Sequence, residues 1–169
     1  MYESLSALEF LELCGRLHDV EDVPLRSRID ALLVGFGLAE KRNLRLGSYS
    51  KGMRQKVMIS AALLHNPNVI ILDEPLTGLD VESAIVTKSL LASLAAEGKT
   101  ILYSSHVLDV VERLCNRVLI IDQGNVVADG PPDELKTKAA QTSLEAVFRQ
   151  LTDSADFEPL VQHIVESLQ

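Results

Sequence analysis

The sequence predicts an α/β fold, with a helical subdomain first and a parallel sheet core with flanking helices after it. Three short apolar runs, at residues 69–72, 101–103 and 118–121, have the length of buried strands. Helix-length segments separate these runs, and such alternation implies crossover connections and a parallel sheet. Before residue 68, helix start signals and apolar residues at helical spacing predict the helical part.

The helical part is expected to contain three helices, each with a start signal. These run from Ser4 or Ser6 to about His18, from Asp22 (with Pro24 in the first turn) to Gly35 or Gly37, and from Ser50 to Leu64. Most of the apolar positions in the first segment are expected to pack in the core. They are Leu5, Leu8, Leu11 and Leu17.

Strand and helix alternate from residue 68 onward. The expected elements are a strand at 69–73, a helix at 81–96, a strand at 100–104, a helix at 107–114 and a strand at 118–122. The turn sequence 122–125 predicts a hairpin to 126–128, and short helices begin at Pro131 and Ser143. A last helical stripe is expected to pack on the body of the chain. Its apolar positions are Phe157, Leu160, Val161, Ile164, Val165 and Leu168.

Composition fits one folded domain, since hydrophobic residues make up 47% and charged residues 24% of the 169 residues. The net charge of −8 argues against a nucleic-acid partner, because such binding surfaces are normally basic. Cys14 and Cys115 are far apart and lack a Cys-x-x-Cys spacing, so buried free thiols and a reducing compartment are expected. No apolar stretch approaches the roughly 20 residues of a membrane-spanning helix, so membrane association is expected only through a partner.

The first candidate site lies where the apolar run 69–72 ends in two adjacent carboxylates, Asp73 and Glu74. Pro75 and Gly78 stop the run, which suits a parallel strand covered on both faces. Ligands bind at the carboxyl ends of such strands. One carboxylate could hold Mg²⁺ and the other could act on a water nucleophile, while the alternative is a solvated acidic strand end.

A second candidate is the start of the predicted third helix. Ser50 is a good N-cap, Gly52 allows close backbone approach, and free N–H groups at a helix start favour a phosphate. The alternative is an ordinary capped helix.

His106 is a third candidate, because it follows the predicted strand 100–104 and would face the same crevice as Glu74. There it could donate a hydrogen bond to a phosphate or to a water. The alternative is a surface or core histidine, which is how we interpret His18, His65 and His163.

These three motifs resemble, in the same order, those of ABC-type ATPases. Residues 47–56, Gly-Ser-Tyr-Ser-Lys-Gly-Met-Arg-Gln-Lys, are similar to the ABC signature sequence in its Tyr-Ser-Lys-Gly-Met form. Residues 69–80 resemble the Walker B strand and D-loop, and residues 100–106 resemble the strand that ends in the H-switch histidine. The resemblance implies a partial P-loop NTPase fold and the cofactors ATP and Mg²⁺.

The resemblance also implies a role for each site residue in a head-to-tail dimer of ATPase domains. Asp73 would position Mg²⁺, Glu74 would polarise the attacking water, and His106 would hold the γ-phosphate. The signature residues would close on the γ-phosphate bound by the other domain, and a D-loop carboxylate would link the two sites. The implied nucleotide-binding residues are Ser50, Gly52, Met53, Gln55 and Asp80.

One family motif is absent from the sequence: no Gly-x-x-x-x-Gly-Lys-Ser/Thr loop occurs in the 169 residues. Residues 1–17 resemble the segment that follows the family's glutamine loop, so the chain is expected to be the carboxyl-terminal part of an ATPase domain. Without a phosphate-binding loop, the chain alone is expected to hydrolyse ATP negligibly.

The implied organisation is a signature subdomain at 1–66, an ATPase core at 67–152 and a C-terminal helix at 153–169. The implied partners are a second ATPase domain and a transmembrane permease subunit, which would place the chain on the cytoplasmic face of the cell membrane. The Tyr-Ser-Lys-Gly-Met form of the signature and the segments 122–132 and 143–152 look most like the exporter branch. The alternatives are a catalytically silent partner that supplies only the signature side, a fragment, or an ABC ATPase outside transport.

Overall fold

The computed structural model of the protein describes residues 2–152 and 158–168. The chain forms two compact units, residues 1–106 and residues 107–169. The predicted division at residues 66 and 152 is not tested by these units and stays a prediction.

The helical part of the first unit contains α1 (Ala7–Leu17), α2 (Asp22–Gly35) and α3 (Lys51–Leu63), with 3₁₀ turns at Ala39–Lys41 and Leu46–Ser48. Ser6 rather than Ser4 caps α1. Its hydroxyl accepts from the Glu9 amide at 3.2 Å, and the Glu9 carboxylate accepts from the Ser6 amide at 2.8 Å. This reciprocal capping box satisfies two amides that have no partner inside the helix.

The three helices enclose the hydrophobic core of the unit. Leu11, Ile29 and Leu33 are fully buried in it, and Leu5 and Leu8 pack against its edge. Core packing is therefore confirmed for most of the predicted positions in α1. It is wrong for Leu17, which lies in the last turn of the helix and is 73% exposed.

A parallel pair of strands follows, β1 (Val69–Asp73) and β2 (Thr100–Ser104), connected by α4 (Val81–Ala96). Ile70 and Leu72 are buried, but Ile71 is 73% exposed and Leu102 in β2 is 54% exposed. The prediction that these strands are covered on both faces is thus wrong in the part of the chain that the structure describes. An aliphatic run reflects strand propensity, whereas burial also needs a packed layer on each face.

The second unit contains α5 (Leu108–Leu114), β3 (Val118–Asp122), β4 (Asn125–Gly130), α6 (Pro132–Ala139), α7 (Leu144–Leu151) and α8 (Glu158–Ser167). β3 and β4 form an antiparallel hairpin, with Gln123 and Gly124 at φ +47° and +79° in its tight turn. The predicted hairpin is confirmed. However, β3 does not extend a parallel sheet within the described residues, because its partner is β4.

A carboxylate joins three helices of the second unit. Glu112 in α5 accepts from Lys136 Nζ in α6 at 2.6 Å and from the Leu144 amide at the start of α7 at 3.0 Å.

The apolar side chains of the last helix are not fully covered. Val161, Ile164 and Val165 of α8 are about half exposed. The prediction that this stripe packs on the chain's body is wrong for these side chains, while Phe157 and the Leu160 side chain lie outside the described part.

Candidate functional site

The carboxyl ends of β1 and β2 bring Glu74 and His106 into direct contact. Asp73 is opposite Ser104 in the parallel register, so the residues that follow these two positions leave the sheet side by side. The Glu74 Oε1 atom accepts from the His106 backbone amide at 2.7 Å and lies 2.6 Å from the ring Nδ1. The hydroxyl of Ser105 donates to Glu74 Oε2 at 3.3 Å.

The backbone of Glu74 has a left-handed conformation, with φ at +46°. A side chain with a Cβ adopts this region at an energetic cost, and such positions concentrate at functional sites. The Glu74 amide still donates to the Ser104 carbonyl at 3.1 Å, which holds the residue at the end of the sheet.

Hydrogen bonds from His106 hold the pKa of the Glu74 carboxyl below its usual range, with Ser105 adding to the effect. Glu74 is therefore ionised at neutral pH, and a carboxylate can only accept hydrogen bonds. It follows that His106 Nδ1 carries the hydrogen between them. A second donor, on Nε2, exists only when the ring is protonated on both nitrogens.

Asp73 lies at the same strand end, and its carboxylate accepts a hydrogen bond from the Ser104 hydroxyl. Asp73 is exposed, so its carboxylate is accessible to a ligand. No group of three or more His, Cys, Asp or Glu that could enclose a metal occurs among residues 2–152 and 158–168. Mg²⁺ on a nucleotide needs only one or two protein oxygens, since phosphates and water supply the rest, so Asp73 fits that mode.

The start of α3 has the expected cap. The Ser50 hydroxyl accepts from the Met53 amide at 3.2 Å, and α3 begins at Lys51. Gly52 approaches another segment closely, because a Cβ atom built there would be 2.3 Å from the Gly78 carbonyl oxygen. A larger residue at position 52 would collide with this carbonyl oxygen, so the close packing requires glycine.

Gln55 and Asp80, which are both predicted to bind nucleotide, interact with other residues of the chain through hydrogen bonds and an ion pair. Gln55 Nε2 donates to the Pro75 carbonyl oxygen at 3.2 Å. Asp80 is the N-cap of α4, where its Oδ1 accepts from the Ser83 amide at 2.8 Å, and its Oδ2 lies 2.8 Å from Lys56 Nζ. The nucleotide roles of these residues stay predictions.

Lys56 and Ser83 were missed by the sequence analysis. The spacing Asp-x-x-Ser before a helix is an N-cap signal that could have identified the contact between Asp80 and Ser83. The contact between Lys56 and Asp80 joins distant parts of the chain and has no local sequence signal.

The other titratable candidates are three histidines and two cysteines. His18 and His65 stack on each other with ring centroids 3.8 Å apart, and His163 is exposed, as expected for structural or exposed histidines. Cys14 and Cys115 are partly buried free thiols, and burial raises the pKa of each. Their thiols are therefore protonated at neutral pH.

The described helices include none with the length and apolar character that crossing a membrane requires.

Comparisons with known proteins agree with the motif order. The profile of the family described as ABC transporter matches residues 5–77. The ABC transporter ATP-binding protein NatA of Bacillus subtilis (strain 168) is 38% identical over 148 residues, which are 88% of this chain and 60% of that protein. The daunorubicin/doxorubicin resistance ATP-binding protein DrrA of Streptomyces peucetius is 34% identical, over 94% of this chain and 48% of that protein.

The fold is also found among solved structures. A chain described as the ATP-binding subunit of an ABC transporter has a TM-score of 0.85 and 32% identity, and the match covers 90% of this chain and 64% of that chain. The present chain thus spans about half to two thirds of the length of these relatives. From the motif order, the fold and these relatives together, the chain belongs to the family of ABC transporter ATP-binding proteins.

Proposed function

We propose that the chain is part of an ATP-hydrolysing subunit of an ABC efflux transporter. The observation that carries the proposal is the contact between Glu74 and His106 at the strand ends, beside Asp73. Two relatives whose names describe drug resistance, from Streptomyces peucetius and Mycobacterium tuberculosis, support the efflux direction.

In this proposal each residue has a distinct task at the nucleotide. The Asp73 carboxylate would hold Mg²⁺, which neutralises phosphate charge during phosphoryl transfer. Glu74 would orient the attacking water by accepting its hydrogen bond. Because the pKa of Glu74 is lowered, the carboxylate stays ionised at neutral pH and is a weak base. Its larger contribution is therefore to orient the water, not to take up a proton. A His106 ring protonated on both nitrogens would donate from Nε2 to a γ-phosphate oxygen while Nδ1 stays on Glu74.

The signature end of α3 would serve a second nucleotide. Ser50, Gly52 and Met53 lie at the first turn of α3, where the helix dipole and amide groups favour negative charge. The 169 residues contain no Gly-x-x-x-x-Gly-Lys-Ser/Thr loop, so the phosphate loop of each proposed site lies outside them. Head-to-tail pairing of two ATPase domains would combine the loop of one with the signature of the other. A permease subunit would hold the pair on the cytoplasmic face of the membrane.

The test is ATP hydrolysis by the chain co-expressed with a phosphate-loop segment of a related ABC ATPase. We expect Mg²⁺-dependent turnover that falls about 100-fold or more in Glu74→Gln and in His106→Ala. Glu97→Gln, at the exposed C-cap of α4, makes the same chemical change outside the site and should leave turnover unchanged.

Two outcomes would contradict the proposal. Turnover that is equal in wild type and Glu74→Gln would show that Glu74 has no catalytic role. Loss in Ser50→Ala with no loss in Glu74→Gln would instead indicate a protein that supplies only the signature side.

A further inference from the structure

Three contacts fasten the first turns of α3 to the segment 75–80, which follows β1. The backbones of α3 and the segment are in close contact at Gly52, because an added Cβ would lie 2.3 Å from the Gly78 carbonyl oxygen. Gln55 Nε2 donates to the Pro75 carbonyl oxygen at 3.2 Å. Lys56 Nζ lies 2.8 Å from Asp80 Oδ2. The contacts touch the beginning, middle and end of the segment.

Of the three contacts, the one between Lys56 and Asp80 is an ion pair. The Lys56 side chain is 12% exposed and the Asp80 side chain is 57% exposed, so the ion pair is partly buried. Replacing Lys56 would leave the Asp80 carboxylate without its positively charged partner.

Asp80 also serves the next helix. Its Oδ1 accepts from the amide and the hydroxyl of Ser83, both at 2.8 Å, at the start of α4. The pKa of Asp80 is strongly lowered, first by Lys56 and then by Ser83, so the carboxylate is ionised at neutral pH. One carboxylate thus connects α3, the segment 75–80 and α4.

We propose that Lys56 is a positioning residue that links α3 to the segment 75–80, so that Ser50 and Glu74 move as one unit. Ser50 lies two residues before Gly52, the first linked residue of α3, and Glu74 lies directly before the linked segment. Nothing in the link requires nucleotide, but its importance for turnover rests on the proposed function.

The first test measures amide hydrogen exchange in the purified chain. The turn inside the segment is marked by the Thr77 amide, which donates to the Glu74 carbonyl, and by the Leu79 amide, which donates to the Leu76 carbonyl. In Lys56→Met we expect exchange at Thr77 and Leu79 to accelerate at least about tenfold, with core amides of α2 unchanged. Lys88→Met, a lysine of α4 outside the three contacts, should leave both amides as in wild type.

Rescue by a conservative variant separates positioning from general stability. Lys56→Arg keeps the charge and should restore wild-type exchange at Thr77 and Leu79. Equal acceleration throughout the first unit in Lys56→Met would show a structural role only and would overturn the proposal. Unchanged exchange at the two amides would overturn it as well.

The second test uses the co-expressed ATPase described above. Lys56→Met is expected to lower kcat about tenfold with little change in KM, and Lys56→Arg is expected to restore it. An equal kcat in Lys56→Met and wild type would overturn the link as a catalytic element. If the wild-type chain gives no turnover at all, the proposed function fails, and the exchange measurement alone then decides whether Lys56 forms the link.

Discussion

The helical part of the first unit and the strand pair beside it bury their apolar residues to different extents. In α1 and α2 the residues that face the core, Leu11, Ile29 and Leu33, are fully buried. In β1 the aliphatic residues alternate, with Ile70 and Leu72 buried and Ile71 73% exposed.

This difference shows that equal hydrophobicity does not mean equal burial. The helical part closes its own core with three helices, whereas the strand pair has a packed layer on one face within the described residues. The exposed strand ends still assemble a dense set of hydrogen bonds around Glu74. Geometry at the candidate site therefore depends on the strand register more than on complete coverage of the sheet.

The largest expected effect comes from truncating one isoleucine in each region. Ile29→Ala removes three carbons from a fully enclosed position in α2 and should lower the free energy of unfolding by about 2–5 kcal/mol. Ile71→Ala, on the exposed face of β1, should lower it by less than about 1 kcal/mol. Denaturant unfolding followed by circular dichroism measures both. Equal losses would mean that the exposed face of β1 is covered in solution.

A smaller effect is expected at the close contact between Gly52 of α3, in the helical part, and Gly78, which follows β1. Gly52→Ala places a methyl group against a backbone carbonyl, so α3 or the segment 75–80 must shift, at a cost of about 1–3 kcal/mol. Gly35→Ala is the matched control, because a Cβ at that helical position has open space around it. The control should be neutral or slightly stabilising. A Gly52→Ala protein as stable as the control would show that the close approach is absent in solution.

Helix positions in the first unit could be predicted well, because their ends are determined by nearby residues. Ser6 with Glu9, Pro24 inside the first turn of α2, and Ser50 before α3 are local signals, and each helix begins within a residue or two of its signal. The two-residue hairpin turn at 123–124 is equally local. By contrast, the exposure of Ile71 and of α8 depends on what packs against them, which the local pattern does not contain.

The candidate site could be predicted in part for the same reason. Parallel strands place their carboxyl ends together, and this rule alone brings Glu74 and His106 to the same edge. The inward contacts of Gln55 and Asp80 were not foreseen, because they depend on how α3 packs against the segment 75–80. Motif resemblance assigns such residues to a ligand, while the fold shows which groups of the chain they also support.

The smallest expected effect is a pH transition at the strand end, with no counterpart in the fully enclosed core. Hydrogen bonds from His106 lower the folded-state pKa of Glu74, so they stabilise the protein above the unfolded value of about 4.3 and are lost as the pH falls through the lower folded value. The carboxyl carbon resonance of Glu74, followed by NMR from pH 7 downward, should therefore titrate below that ordinary value. In His106→Ala the midpoint should rise toward it, because the first cause of the shift is removed. A wild-type midpoint at or above the ordinary value would mean that Glu74 and His106 are not in contact in solution.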